Sequence, residues 1–175
     1  CVANMFLGVL SALVQSDIKR LLAYSSVAHI GYMALALASP GQPVLAASLF
    51  LVLSHALSKG LAFLGAGYLS SHVGSRELSS LRGLWHREPL ASALFLVSLF
   101  SLMGLPATSG FVAKAVLLSA LFSGPSWPLG LLMLVSVVIG AAAYLRAVMA
   151  LLAQPEAPEV GHRPPGEAST LELSS

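Results

Sequence analysis

The residues with the most evident capacity for chemistry are a histidine and a lysine four positions apart in an apolar stretch. His55 and Lys59 lie within residues 44–69, a run with no other charged side chain. On an α-helix, side chains at positions i and i+4 share one face and lie about 6 Å apart along the axis. Ser54 and Ser58 flank the pair, and their hydroxyls can hydrogen-bond to water or imidazole. Titratable groups and hydroxyls in this arrangement are suited to passing protons.

The stretch around Lys59 is long enough to place this lysine inside a lipid bilayer. A transmembrane helix needs about 20 predominantly apolar residues, and residues 44–69 form a longer run than that. A lysine at the centre of such a helix costs roughly 2.5–3.5 kcal/mol on insertion scales, so an intramembrane lysine indicates a functional role. The alternative is a structural lysine that pairs only with lipid or with another subunit.

A second lysine follows an interrupted apolar segment. Residues 89–122 are too many for one ordinary span, and Gly104, Pro106 and Gly110 lie near the middle of this run. Because proline removes a helix hydrogen bond and glycine loosens the helix further, the sequence predicts two half-helices joined by a break at these residues. Lys114 lies just inside the second half. Interrupted helices in transporters mark ion and substrate sites.

Neither lysine has an acidic partner in the apolar segments. All seven carboxylates lie outside those segments. A medium of low dielectric disfavours the charged amine, which suits a buried lysine to gain and lose protons. The alternative is an acidic partner on another part of a longer protein.

A further histidine extends the predicted path. His29 lies in another apolar segment, residues 18–39, which has Lys19 near its start, and Ser25 and Ser26 precede His29 by four and three positions. An intramembrane histidine often only bonds one helix to another, and a lysine near a helix end often only anchors it. We predict a water-assisted proton path formed by Lys19, His29, His55, Lys59 and Lys114, with Ser25, Ser26, Ser54 and Ser58 as possible relays.

The composition is that of an integral membrane protein. Of 175 residues, 57% are hydrophobic and only 9% are charged, whereas soluble domains have about 25% charged residues. The net charge of +2 gives no reason to expect nucleic acid as a partner, and the single cysteine, Cys1, excludes a disulfide framework or a metal–thiolate cluster. No GxGxxG fingerprint is present, so we expect no cofactor and no metal in this chain.

The apolar segments predict an all-α, polytopic transmembrane helix bundle of four or five helices, one of them broken at Gly104–Pro106. The segments are residues 1–14, 18–39, 44–69, 89–122 and 127–153, and together they form a membrane domain over residues 1–153. Residues 154–175, rich in proline and glutamate, predict a disordered polar tail. The first segment is short and residue 1 is not methionine, so we expect a piece of a longer protein.

Positive charges predict the orientation of the bundle. Lysine and arginine occur in residues 15–20 and 70–88 but are absent from the short loops 40–43 and 123–126. The positive-inside rule therefore places residues 15–20, loop 70–88 and the C-terminal tail in the cytoplasm.

Three stretches, in order, resemble signatures of the antiporter-like proton-translocating membrane subunits. These subunits occur in respiratory complex I (NADH:quinone oxidoreductase), in membrane-bound hydrogenases and in Mrp-type cation/proton antiporters. The first stretch is SDIKRLLAYSSVAHIGY at 16–32, and the second is HALSKG at 55–60. The third runs from GLP at 104–106 through SGF at 109–111 to Lys114. The resemblance covers roughly residues 8–122.

The resemblance implies a larger bundle in the intact protein, of about fourteen helices in two inverted repeats. This chain would hold most of the second repeat. Lys59 and Lys114 would carry protons, and His55 and His29 would act as relays. NADH, FMN, iron–sulfur clusters and quinone would be bound by partner subunits, so the chain would be the pump and not the redox catalyst. Its partners would be other membrane subunits, lipid, and protons or sodium, in the inner (plasma) membrane of the cell.

The subgroup stays open at this point. Tyr144-Leu145-Arg146 resembles the complex I subunit closest to the hydrogenase-like arm, whereas His55 to Lys59 is more similar to the other complex I pumps, the hydrogenases and the Mrp subunits. The leading interpretation is a proton-translocating subunit of a complex I-like oxidoreductase. The alternatives are a subunit of an Mrp antiporter or hydrogenase, and a structural membrane subunit that translocates nothing.

Overall fold

The computed structural model describes residues 1–39 and 41–154, and in this part of the chain every regular element is helical. The α-helices are α1 (Val2–Leu13), α2 (Ile18–Met33), α3 (Leu35–Ala38), α4 (Gln42–Val73), α5 (Leu84–Arg87), α6 (Pro89–Met103), α7 (Ser109–Phe122) and α8 (Trp127–Leu152), and a 3₁₀ turn covers Leu78–Leu81. Helices α4 and α8 are each long and apolar enough to cross a bilayer. The predicted all-α membrane bundle is confirmed.

The bounds of the predicted segment 44–69 differ from those of the observed helix. Helix α4 begins at Gln42 and ends at Val73, beyond the predicted residues 44–69 at both ends. Pro43 starts the helix instead of stopping it, because proline in the first turn has no hydrogen bond to lose. Gly74, at φ 71°, ends the helix in the left-handed conformation that glycine adopts without strain. The loop predicted at 70–88 is therefore shorter and contains two helical turns. Residues 155–175 of the predicted tail lie outside the described residues.

The break between α6 and α7 is where the sequence predicted it. Gly104 has φ 88°, and the N–H groups of Gly104 and Leu105 both donate to Phe100 O at 3.0 Å, which closes the end of α6. Thr108 then caps α7 by accepting a hydrogen bond from Phe111 N at 3.2 Å. Gly110, predicted as part of the break, lies instead within the first turn of α7.

Close contacts tie the first two helices together. Asp17 caps α2 by accepting hydrogen bonds from the N–H groups of Lys19 and Arg20 at 2.7 and 3.0 Å. A Cβ atom on Gly8 would lie 2.4 Å from Ala28 N, so α1 approaches α2 at a distance that only glycine allows.

One end of the bundle, here called the basic end, gathers the segments that carry most of its positive charges. Ile18 N donates to Arg76 O at 3.0 Å, and Leu78 N donates to Ser16 O at 2.9 Å, which joins the loop before α2 to the loop after α4. Gly83 N donates to Ala153 O at 3.0 Å and joins that second loop to the end of α8. The segment before α2, the loop after α4 and the end of α8 therefore meet at one end of the bundle, and the side of the membrane that this end faces stays a prediction.

Two buried apolar clusters fill the bundle, one toward each end. Leu22, Ala62 and Leu69 belong to the cluster nearer the basic end, and Leu51 and Met133 belong to the other cluster. Along α2 and α4, Ser25, His55 and Lys59 lie between the positions that supply the two clusters, and His29 follows the first position of the second cluster on α2. The polar layer, defined here as Ser25, His29, His55, Lys59 and Lys114, is thus separated from both ends by apolar side chains.

Candidate proton-conducting site

Lys59 is buried at the interface of α4 with α2. Its side chain is 6% exposed, and Nζ donates to Leu22 O at 2.6 Å and to Ser25 Oγ at 2.5 Å. Both acceptors are uncharged, and no described carboxylate forms an ion pair with this amine. The Ser25 hydroxyl itself donates to Leu22 O at 2.8 Å. Lys59 and Ser25 are therefore joined directly, and the role of Ser25 as a relay stays a prediction.

Lys114 occupies the end of the broken helix. It is 6% exposed, and Nζ donates to Leu102 O and to Met103 O, the latter at 3.1 Å. These are carbonyls of the last turn of α6, where the helix break removes their intrahelical partners and where the helix dipole favours a cation. A Cβ atom on Gly104 would lie 3.3 Å from Lys114 Nζ. Gly104 thus both ends α6 and leaves space for the lysine.

Two histidines connect α2 to α4 beside these lysines. The imidazole rings of His29 and His55 lie with their centroids 4.4 Å apart. His29 Nδ1 is 2.8 Å from Ser25 O, and because a carbonyl only accepts, this nitrogen carries the proton. His55 Nδ1 is buried and has no hydrogen-bond partner among the described residues. Both histidines predicted for the path therefore lie in the polar layer.

Four residues predicted for the path lie outside the polar layer: Ser26, Ser54, Ser58 and Lys19. Ser54 and Ser58 face the broken helix: Ser54 Oγ donates to Ser109 Oγ at 3.0 Å, and Ser58 Oγ is 2.7 Å from Ser101 Oγ. Ser26 donates to Leu22 O at 3.2 Å and is half-buried. Lys19 is half-buried at the basic end, where it lines a surface pocket with Ser70, Ser71 and Arg76 and with none of the polar-layer residues. Its place on the path stays a prediction.

A small cavity lies beside Lys114 and Ser25. Its volume is about 10 Å³, and its lining includes Ser25, His29, Lys114 and Tyr144. That volume corresponds to about one water molecule.

Tyr144 is a residue of this site that the sequence does not predict, because nothing in its local pattern shows that α8 brings it next to α2. Among the described residues, no group of three histidine, cysteine, aspartate or glutamate side chains is arranged to bind a metal ion.

Replacing His55 with alanine is expected to slow proton transfer moderately. The ring contacts His29 at 4.4 Å but forms no hydrogen bond through Nδ1 among the described residues, and water can take the place of a relay. The loss should correspond to about 2 kcal/mol at most, or about 30-fold in rate. The rate of proton uptake into proteoliposomes, compared between His55→Ala and the unchanged protein, measures this loss. Failure of the variant to assemble would instead show that His55 acts as a packing residue between helices.

Comparison with known proteins identifies the family. A family model described as NADH:quinone oxidoreductase/Mrp antiporter, transmembrane, matches residues 1–140. Subunit 14 of the NADH-quinone oxidoreductase of Thermus thermophilus is 40% identical over 154 residues, which are 87% of this chain and 35% of that protein. Subunit N of the same enzyme from Cereibacter sphaeroides is 40% identical over 146 residues, covering 83% of this chain and 32% of that protein. The chain thus spans about a third of the length of these relatives.

Solved structures of complex I and of an Mrp complex also contain chains similar to this one. A chain of respiratory complex I from Thermus thermophilus matches with a TM-score of 0.74 and 39% identity, over 89% of this chain and 35% of the other. A chain of the Mrp complex from Dietzia sp. matches with a TM-score of 0.84 and 32% identity, over 90% of this chain and 29% of the other. The resemblance inferred from the three sequence stretches is confirmed, and the chain belongs to the NADH:quinone oxidoreductase/Mrp antiporter membrane subunit family.

Proposed function

We propose that this chain is the proton-conducting part of a membrane subunit of a complex I-like NADH:quinone oxidoreductase. The observation that carries the proposal is the pair of buried lysines, each held by uncharged oxygens. Lys114 lines a water-sized cavity, and Lys59 is hydrogen-bonded to Ser25, which lines the same cavity. A lysine held by carbonyls and hydroxyls can bind a proton, and without a carboxylate partner it can also release one.

The proposed path crosses the bundle through the polar layer. A proton on Lys59 is in contact with Ser25, and Ser25 lines the cavity that Lys114 also lines. His29 lines the same cavity, and its ring contacts that of His55. Apolar clusters on both sides of the layer limit access of water from the two ends, which a pump requires to prevent leakage of protons.

We assign the driving reaction to partner subunits. In this proposal NADH, FMN, iron–sulfur clusters and quinone are bound elsewhere in the complex, and electron transfer there changes the proton affinity of the polar layer. The complex I relatives support this assignment through their identity of 40%, compared with 32% for the Mrp structure. The basic end would face the cytoplasm, and the chain would reside in the inner (plasma) membrane.

An Mrp-type cation/proton antiporter is the second candidate, because the Dietzia Mrp structure gives the TM-score of 0.84. Purification of the full-length protein from its native membranes discriminates the two. A complex I assembly would carry flavin and iron–sulfur absorbance and would take up protons when NADH is oxidised. An assembly without those absorbance bands that exchanges sodium for protons would overturn the first proposal and support the second.

A further inference from the structure

Tyr144 on α8 is a buried tyrosine whose hydroxyl has no hydrogen bond among the described residues. Its side chain is 2% exposed, and the hydroxyl oxygen is shielded and unpartnered. Burying a hydroxyl without a partner is unfavourable, and lipid offers no substitute for the missing hydrogen bond. Phenylalanine would fill nearly the same space without this cost, so packing alone does not account for the oxygen.

The position of Tyr144 relates its oxygen to the lysines. The ring centroid is 5.8 Å from Lys59 Nζ, within the range at which an aromatic ring attracts an ammonium group. Ser25 Oγ, in turn, is the acceptor of the hydrogen bond from Lys59 Nζ. Tyr144 also lines the cavity of about 10 Å³ to which Ser25, His29 and Lys114 contribute. Tyr144 is thus adjacent to Lys59, to Ser25 and to the space beside Lys114.

We propose that Tyr144 is a proton-relay residue, whose hydroxyl and one water molecule in the cavity connect Lys59 and Ser25 to Lys114. The inference rests on the proposed function. It adds a residue from α8 to a path that is otherwise formed by α2, α4 and α7.

The proposed transfer begins when the Ser25 O–H turns from Leu22 O toward Tyr144. The ammonium group of Lys59 then gives a proton to Ser25 Oγ, while the proton that Ser25 held passes to the Tyr144 oxygen. Tyr144 releases its own proton to the water, and the water gives one of its protons to the neutral amine of Lys114. Each hydroxyl and the water finish with as many hydrogens as they had, so the net change is one proton lost by Lys59 and one gained by Lys114. The same steps run in reverse.

The test is Tyr144→Phe in the full-length subunit, assembled in its complex and reconstituted into proteoliposomes. Phenylalanine keeps the ring near Lys59 and removes only the oxygen. We expect proton uptake at least about tenfold slower with the normal amount of assembled complex. We also expect a larger solvent deuterium isotope effect, because proton transfer becomes rate-limiting. Ser25→Ala removes the neighbouring hydroxyl and should produce the same two changes.

Tyr32→Phe is the matched control. Tyr32 is also 2% exposed and lines the same cavity, but its hydroxyl is hydrogen-bonded to Ser136 Oγ at 3.0 Å. We expect Tyr32→Phe to lower stability and leave the rate of proton uptake and its isotope effect unchanged. Normal uptake by Tyr144→Phe, or an equal slowing by Tyr32→Phe, would overturn the relay.

Lys114→Ala, measured in the same series, separates the two proposals. If Lys114→Ala blocks uptake while Tyr144→Phe does not, the relay is wrong and the proposed function stands. If both variants take up protons normally, the proposed function itself fails.

Discussion

Replacing Lys114 with alanine in the full-length protein is expected to abolish the share of proton pumping that passes through this subunit, while the complex still assembles. In the proposed path the amine is the proton carrier at the broken helix, where Leu102 O and Met103 O hold it. Loss of a positioned proton carrier should slow transfer by about 100-fold or more. The measurement is proton uptake per NADH oxidised in proteoliposomes, together with the amount of assembled complex on native gels.

Lys114→Arg distinguishes a proton carrier from a fixed positive charge. Arginine keeps the charge and can donate to the same carbonyls, but it does not release its proton in proteins. We expect this variant to assemble and to pump as poorly as Lys114→Ala. Normal pumping by either variant would contradict the role of Lys114 and would favour a structural subunit that translocates nothing.

Replacing Gly110 with alanine is expected to have the largest effect on assembly. A Cβ atom at this position would lie 1.8 Å from Ser101 O, a backbone atom of α6 that cannot move aside without displacing the helix. Overpacking of this kind costs about 3 kcal/mol or more. It would also shift α7, which carries Lys114 and the Ser109 hydroxyl bonded to Ser54. The yield of assembled complex and its thermal stability in detergent measure the effect.

Gly67→Ala provides the comparison for this prediction. Gly67 lies in the interior of α4, and a Cβ atom there would meet nothing within 4 Å. Alanine favours a helix over glycine by up to about 1 kcal/mol, so this variant should assemble at the normal level. Equal yields for Gly110→Ala and Gly67→Ala would show that α7 can move away from α6 without cost.

The chemistry of the site could be predicted from the sequence where it depends on one helix. The spacing of four between His55 and Lys59 places both side chains on the face of α4 that meets α2. Glycine and proline at 104 and 106 predict the break, because both residues act on their own backbone. The capping of α2 by Asp17 is local in the same way.

Contacts between helices could not be predicted in this way. Each step along a helix rotates the side chain by about 100°, so Ser58, the neighbour of Lys59 in sequence, faces Ser101 on α6 instead of the lysine. Tyr144 follows Lys59 by 85 positions (144 minus 59), and only the packing of α8 brings the two together. Residues 40–43 are predicted as a loop, yet Pro43 lies in the first turn of α4, because proline is unfavourable inside a helix and favourable at its start.

The central claim, that Lys59 and Lys114 lie in series on one proton path, is tested most directly by comparing three variants. These are Lys59→Ala, Lys114→Ala and the double variant, each in the full-length subunit within proteoliposomes, with proton uptake per NADH oxidised as the measurement. If the lysines act in series, either single variant removes this subunit's share of pumping and the double variant loses no more. If each single variant retains part of that share and the double variant loses the sum, the two lysines serve separate paths and the account is wrong.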